Sequence, residues 1–119
     1  MLRESANRLT ALIVGACFLI IGALGFTANP TDWLFGILSV NVAANVLHLG
    51  VGVLLIAVAF SPRAPLLDAI AGTLLLALGI AGLFIITTPA NVIAVNGAAN
   101  LLHFASAAVL LAVGLGARR

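Results

Sequence analysis

The stretch VNVAANVLH at residues 40–48 recurs as VNGAANLLH at residues 95–103, with seven of nine positions identical. A glycine pattern upstream of each stretch also recurs: Gly15, Gly22 and Gly25 correspond to Gly72, Gly79 and Gly82. The glycines are offset by 57 residues and the longer motif by 55, so the difference falls in the loops between them. We therefore predict a single domain over residues 1–119 with two copies of one unit, at about residues 9–60 and 66–116.

The composition is that of a membrane protein. Of 119 residues, 64% are hydrophobic and 7% are charged, whereas a soluble domain has about 25% charged residues. The five basic residues are all arginines, placed singly or in pairs, so the chain lacks the basic patch that a nucleic acid requires. Membrane lipid is thus the expected surrounding, and nucleic acid is not an expected partner.

Four apolar segments are long enough to cross a bilayer, which takes about 20 residues of helix. Helices are expected because each span must satisfy its own backbone hydrogen bonds. Asp68 is the only charged residue within them, and we expect it in the first turn of the third span, at headgroup depth. The predicted fold is an all-α integral membrane protein with four transmembrane helices, at about Leu9–Ala28, Val42–Phe60, Leu66–Ile86 and Gly97–Gly116.

The repeat predicts how these spans are related. Each copy holds two spans, so the second copy cannot be inverted, and the two hairpins are parallel repeats about an axis along the membrane normal. His48 and His103 are then at the same depth. Within the first span the three glycines share one face, which predicts close helix packing. Close approach to a bound cofactor is the alternative role for these glycines.

The arginines predict the orientation. All five fall on one side of the predicted spans, and Asp32 is the only charged residue on the other. The positive-inside rule places the arginine-bearing side, and with it the N- and C-termini, in the cytoplasm. The arginines are Arg3, Arg8, Arg63, Arg118 and Arg119.

The first outer loop contains an apolar segment, Trp33–Leu38. An aromatic residue leading an apolar run is typical of a segment that lies at the headgroup level. We expect it to anchor the loop at the membrane surface, and docking to a partner protein is the alternative.

The repeated motif places Asn41, Asn45 and His48 at i, i+4 and i+7, on one helix face. Polar groups within a span usually face the bundle interior, and we favour a structural role in hydrogen bonding to a neighbouring helix or an outer-loop backbone. Asn41 is also suited to cap its helix. The second copy presents Asn96, Asn100 and His103 in the same way.

A ligand-binding role for the same face is the alternative. His48 and His103, with Asn45 and Asn100 beside them, could hold a haem, a chlorophyll-type pigment or a quinone, or share one metal ion. Two histidines without a third protein ligand fall short of a usual zinc site. We therefore predict no metal site and, on the structural reading, no cofactor.

No catalytic constellation is present in the sequence, which contains no Ser-His-Asp candidate, phosphate loop or HExxH motif. We therefore expect a protein that is not an enzyme. A chain this small, with no soluble domain, is predicted to be an accessory or stabilising subunit of a larger membrane complex, next to other membrane subunits or further copies of itself. A small cofactor-binding protein that uses His48 and His103 is the alternative.

The pattern Val-Asn-x-x-x-Asn-x-x-His after a glycine-rich span, present at residues 40–48 and 95–103, resembles the bacterial membrane family called domain of unknown function 4383. The resemblance covers essentially the whole chain. It implies four spans in a bacterial cell membrane and no assigned reaction. Family members often carry His or Asp just before the second Asn, where this chain has Ala44 and Ala99.

Overall fold

The computed structural model describes residues 2–28 and 33–116, and the predicted positions of Asp32, Arg118 and Arg119 lie outside them. Each of the four helices is long and apolar enough to cross a membrane. The prediction of a multi-pass, all-α membrane protein in contact with lipid is therefore confirmed. The helices are α1 (Leu2–Gly25), α2 (Val42–Ala59), α3 (Ala64–Ile85) and α4 (Gly97–Gly116).

Two helices begin earlier than the hydrophobicity pattern predicted. Helix α1 begins at Leu2 rather than Leu9, because its first turns pack on the bundle: Asn7 is 1% exposed and donates to the Val113 carbonyl at 3.0 Å. Helix α3 begins at Ala64, with Pro65 in its first turn. Proline is tolerated there because its missing N–H would have no intrahelical partner.

The two repeats are two helical hairpins. Helix α1 packs most extensively on α2, and α3 packs most extensively on α4. A Cβ added at Gly52 would lie 2.7 Å from the backbone nitrogen of Leu19 and 2.8 Å from the carbonyl of Gly15. At Gly72, the counterpart of Gly15, an added Cβ would lie 3.1 Å from the Ala107 carbonyl. The predicted packing role of the glycines is confirmed.

All four helices contribute to one apolar core. The side chains of Phe18, Leu55 and Leu110 are each at most 2% exposed and pack with Leu75 from α3. Large apolar residues outside this core, such as Leu54, remain exposed along the helices. In a bilayer these outward side chains contact lipid.

The two ends of the bundle differ. The end with the turn at residues 60–63 is called the inner end, and the opposite end, with residues 33–41 and 86–96, the outer end. At the outer end, Trp33–Leu34 pairs antiparallel with Leu38–Ser39. This hairpin was not predicted. Phe35 and Gly36 in its turn have φ of 56° and 67°, a conformation that suits glycine and strains phenylalanine.

The hairpin presents an apolar outer surface. Trp33, Phe35 and Ile37 are exposed, whereas Leu34 is buried. Three exposed apolar side chains on one short hairpin are compatible with the predicted surface anchor and with the docking alternative. The choice between these two roles stays a prediction.

The position of Asp68 differs from the expectation. Because α3 begins at Ala64, Asp68 is its fifth residue and lies beyond the first turn. Its side chain is 0% exposed. The expectation that Asp68 lies in the first turn of its helix is therefore wrong, and its depth in the membrane stays a prediction.

Candidate functional site

The asparagines at the start of α2 and α4 cap their helices, as predicted. The Asn41 Oδ1 accepts from the Ala44 N–H at 2.7 Å, and the Asn96 Oδ1 accepts from the Ala99 N–H at 2.9 Å. An N-terminal helix turn has backbone N–H groups without intrahelical acceptors, and these two oxygens each satisfy one of them.

The amide ends of the same asparagines link the two repeats. The Asn41 Nδ2 donates to the Val92 carbonyl at 2.9 Å, and the Asn96 Nδ2 donates to the Ile37 carbonyl at 2.8 Å. Ile37 and Val92 occupy equivalent positions in the two copies. The two bonds are therefore reciprocal, and each repeat holds the outer loop of the other.

Asn91 holds the second outer loop in shape. Its Nδ2 donates to the carbonyls of Ile86 and Val95, at 3.2 and 2.8 Å, and its Oδ1 accepts from the Val95 N–H at 2.8 Å. Sequence reasoning missed this residue. The signal was its place two residues after Pro89, in a turn where an asparagine often bonds to nearby backbone.

One turn deeper, Asn45 and Asn100 are each 3% exposed. The Asn100 Nδ2 donates to the Gly79 carbonyl of α3 at 2.9 Å, which is the predicted kind of interhelical hydrogen bond. A Cβ at Gly82 would collide with the Asn100 side chain, and one at Gly25 would collide with Asn45. The last glycine of each repeated set, Gly25 or Gly82, therefore makes room for a buried amide.

The side-chain oxygens of Asn45 and Asn100 differ in their hydrogen bonding. Within the described part of the chain, the Asn45 Oδ1 is buried without a hydrogen-bond partner. The Asn100 Oδ1 lies 3.4 Å from the Nδ1 of His103. Because the Asn100 Nδ2 is engaged by Gly79, its Oδ1 faces the imidazole as an acceptor. This assigns the ring hydrogen of His103 to Nδ1 and leaves a lone pair on Nε2.

Both predicted histidines are buried and line one cavity. His48 is 7% exposed and His103 is 4% exposed, and the cavity they share has a volume of about 60 Å³. The ring of Phe18 packs beside His48, with a centroid distance of 5.7 Å and an interplanar angle of 51°. The structure thus brings His48 and His103 together at one cavity and places Asn100 beside His103, whereas Asn45 packs against Gly25.

The hydrogen bonds predicted for the imidazoles are not the ones observed. His103 Nδ1 faces Asn100 of its own helix rather than a neighbouring helix. Among the described residues, none gives the buried His48 Nδ1 a hydrogen-bond partner. Neither Nδ1 therefore makes the bond to a neighbouring helix or an outer-loop backbone that was predicted for each histidine, whereas Asn96 and Asn100 make bonds of these two kinds.

The cavity is mostly apolar. Leu75 and Leu78 of α3 form one wall, and Ile93, Ala94 and Val95 of the second outer loop cover it. Two imidazole rings and Ser39 are the polar residues of its lining, and such groups could bind a small polar molecule. The described ranges contain no group of three or more His, Cys, Asp and Glu side chains that could hold a metal ion.

In the comparison with protein families, residues 8–116 match the model described as "Domain of unknown function (DUF4383)". The chain belongs to the DUF4383 family. The match includes both copies of the asparagine and histidine motif, so the resemblance drawn from that motif is confirmed. For this DUF4383 protein, the comparisons with curated proteins and with solved structures gave no match.

Proposed function

We propose that this DUF4383 protein is a non-catalytic accessory or stabilising subunit of a larger membrane complex. In this proposal it resides in a bacterial cell membrane with both termini in the cytoplasm. Support for the orientation comes from the arginines. Support for the subunit role comes from an open seam between two of its helices.

The seam between α2 and α3 is less filled than its counterpart. In the repeat α1 corresponds to α3 and α2 corresponds to α4, so the seam between α2 and α3 is equivalent to the seam between α4 and α1. Helix α1 packs more extensively on α4 than α2 packs on α3. A cleft of about 200 Å³ lies between α2 and α3, with Leu54, Val58, Leu74 and Leu78 among its lining residues. It continues toward the inner end, where Leu67 is part of the lining.

This open seam is the observation that carries the proposal. From Leu67 to Leu78 the lining extends over about 16 Å of helix at 1.5 Å per residue. Ala57 and Ala71 border it, and small residues let another helix approach closely. A helix of a neighbouring subunit would complete the packing that α1 and α4 already have on the other side.

A photo-crosslinking amino acid tests this proposal. We expect one at Leu74, which is in the cleft and 66% exposed, to give a discrete protein adduct in native membranes. The matched control is Leu101, 68% exposed on α4, which should give only lipid adducts. Identification of one membrane protein in the Leu74 adduct, with co-purification in mild detergent, supports the subunit role. Lipid adducts at both positions, together with a lone monomer, contradict it.

The alternative is a small cofactor-binding protein that uses His48 and His103, and the shared cavity is the observation in its favour. Its volume of about 60 Å³ is well below the roughly 300–1,000 Å³ of sites for drug-sized ligands. This small volume counts against a haem or a chlorophyll-type pigment. On the scale of about 10–15 Å³ for one water molecule, it suits a few waters or a small polar ligand.

An absorption spectrum of the purified protein separates the two functions. The subunit proposal predicts a colourless preparation. A Soret or chlorophyll band that is lost in both His48→Gln and His103→Gln would instead establish the cofactor-binding alternative.

A further inference from the structure

Asp68 is an acidic residue in the interior of a membrane-spanning helix. Its side chain is 0% exposed, and both carboxyl oxygens are buried without a hydrogen-bond partner among the described residues. An ionised carboxylate without a partner is very costly in an apolar interior, and such groups neutralise instead. Neither the asparagine and histidine site nor the proposed subunit role uses this group.

Two cationic side chains have a described placement, and neither is buried beside Asp68. Arg8 on α1 and Arg63 before α3 are both exposed. Glu4, the other acidic residue of the described part, is exposed as well. The titratable groups of α2 and α4 are His48 and His103, and α1 also carries Cys17. None of these three lies at the inner end.

The repeat shows that Asp68 is specific to one copy. At the offset of 57 residues its counterpart is Ala11, which is also 0% exposed. The first copy therefore fills the equivalent buried place with an apolar methyl group. The carboxyl group of Asp68 is therefore present in only one of the two copies, and we looked for a chemical role for it.

A second buried polar side chain lies at the same end. Gly114 of α4 packs against the backbone of Pro65 and Ala69, next to Asp68, and the adjacent Val113 carbonyl accepts the bond from Asn7. The counterpart of Asn7 is Ala64, one helical turn nearer the inner end than Asp68. Asn7 thus adds a polar group between the depth of Asp68 and the end of the bundle.

We propose that Asp68 is a proton-binding site, a carboxyl group held in its neutral acid form at neutral pH inside the inner end of the bundle. The ligand is a proton. Its binding neutralises the carboxylate and so removes the free-energy cost of burying a charge. The site is separate from the histidine cavity and independent of whether the protein is a subunit or binds a cofactor.

Carbon-13 NMR tests this inference directly, because Asp32 and Asp68 are the only aspartates. The protein is labelled with aspartate carrying carbon-13 at the side-chain carboxyl, in the Asp32→Asn background, and studied in lipid bilayers. An ordinary aspartate ionises near pH 3.9. We expect the single Asp68 signal at the chemical shift of the acid at neutral pH.

The exposed Glu4, labelled in the same way, is the internal control and should show the shift of a carboxylate at neutral pH. A carboxylate shift for Asp68 at neutral pH would overturn the proposal, since it would show that the group is ionised. The measurement uses Asp68 itself, so it does not depend on whether a variant at this position folds.

Discussion

Asn41 caps α2 through its Oδ1 and, through its Nδ2, binds the carbonyl of Val92, 51 residues later in the chain. One side chain therefore serves both its own helix and the opposite repeat. Asn96 does the same with Ala99 and Ile37. These pairs connect local helix formation to the assembly of the two hairpins.

Substitutions at Asn41 separate these two contributions. Asp keeps the oxygen that accepts from Ala44 but has no amide donor for Val92, and its charge is favourable at a helix N-terminus. We expect Asn41→Asp to lower the free energy of unfolding in detergent by about 0.5–1.5 kcal/mol. Asn41→Ala should lower it by about a further 0.5–2 kcal/mol through loss of the cap.

The control for this series is Thr27→Val, which removes an exposed bond to the Leu24 carbonyl within one turn and should change stability little. Equal stability of the wild-type protein and Asn41→Asp would show that the bond between the repeats contributes nothing measurable.

Two glycines on α2 test the packing of the first hairpin. Gly52→Ala places a Cβ against the backbone of Leu19 and Gly15, and such overpacking typically costs about 1–3 kcal/mol. At Gly50 an added Cβ meets nothing within 4 Å, so Gly50→Ala should be neutral or stabilise by up to about 1 kcal/mol. Denaturant unfolding of both variants in micelles checks the difference, and similar losses at both positions would contradict the packing role.

The two histidines should respond differently to removal of the imidazole. His103→Leu breaks the contact with the Asn100 Oδ1 and should cost about 0.5–1.5 kcal/mol. His48→Leu removes a buried Nδ1 that has no partner in the described residues, so it should leave stability unchanged or raise it. Thermal unfolding in detergent gives the comparison. A loss at His48 as large as that at His103 would contradict this expectation.

Glutamine at the same positions distinguishes a structural from a ligand role. Its amide retains a donor and an acceptor, so His103→Gln should be more stable than His103→Leu if the role is structural. If the imidazole binds a cofactor, glutamine should lose the bound group as completely as leucine does. The amount of cofactor per protein after purification is the readout.

The arginine distribution predicts the topology of the termini. A reporter that is active only in the cytoplasm, fused after Arg119, should be active, and a reporter active only outside should be inactive at that position. The opposite pattern would reverse the proposed orientation.

Several features were predictable from sequence because each depends on a local pattern. Hydrophobicity over about 20 residues predicts a span, and the asparagine at the start of an apolar helix predicts a cap, as Asn41 and Asn96 show. The equal depth of His48 and His103 follows from the repeat, and the structure places both beside one cavity.

Other features depend on which helices meet, and helix spacing does not contain that information. The i, i+4, i+7 pattern defines a face but not its partner, so it did not reveal that Asn41 reaches Val92 in the other repeat. The burial of Asp68 was missed because it depends on the helix start at Ala64 and on how α4 covers that turn. Polar residues in an apolar segment therefore need the tertiary structure before a role is assigned.

The reciprocal bonds have the geometry of an isologous dimer, in which residue i of one copy contacts residue j of the other and the reverse. Asn41 with Val92, and Asn96 with Ile37, would be one and the same contact in a homodimer of single hairpins. Such a dimer would have to bury two carboxyl groups if it buried one. Joining the copies in one chain removes that constraint. One copy can then carry Asp68 while the equivalent position of the other copy is Ala11, so the protein buries one acid where a symmetric dimer would bury two.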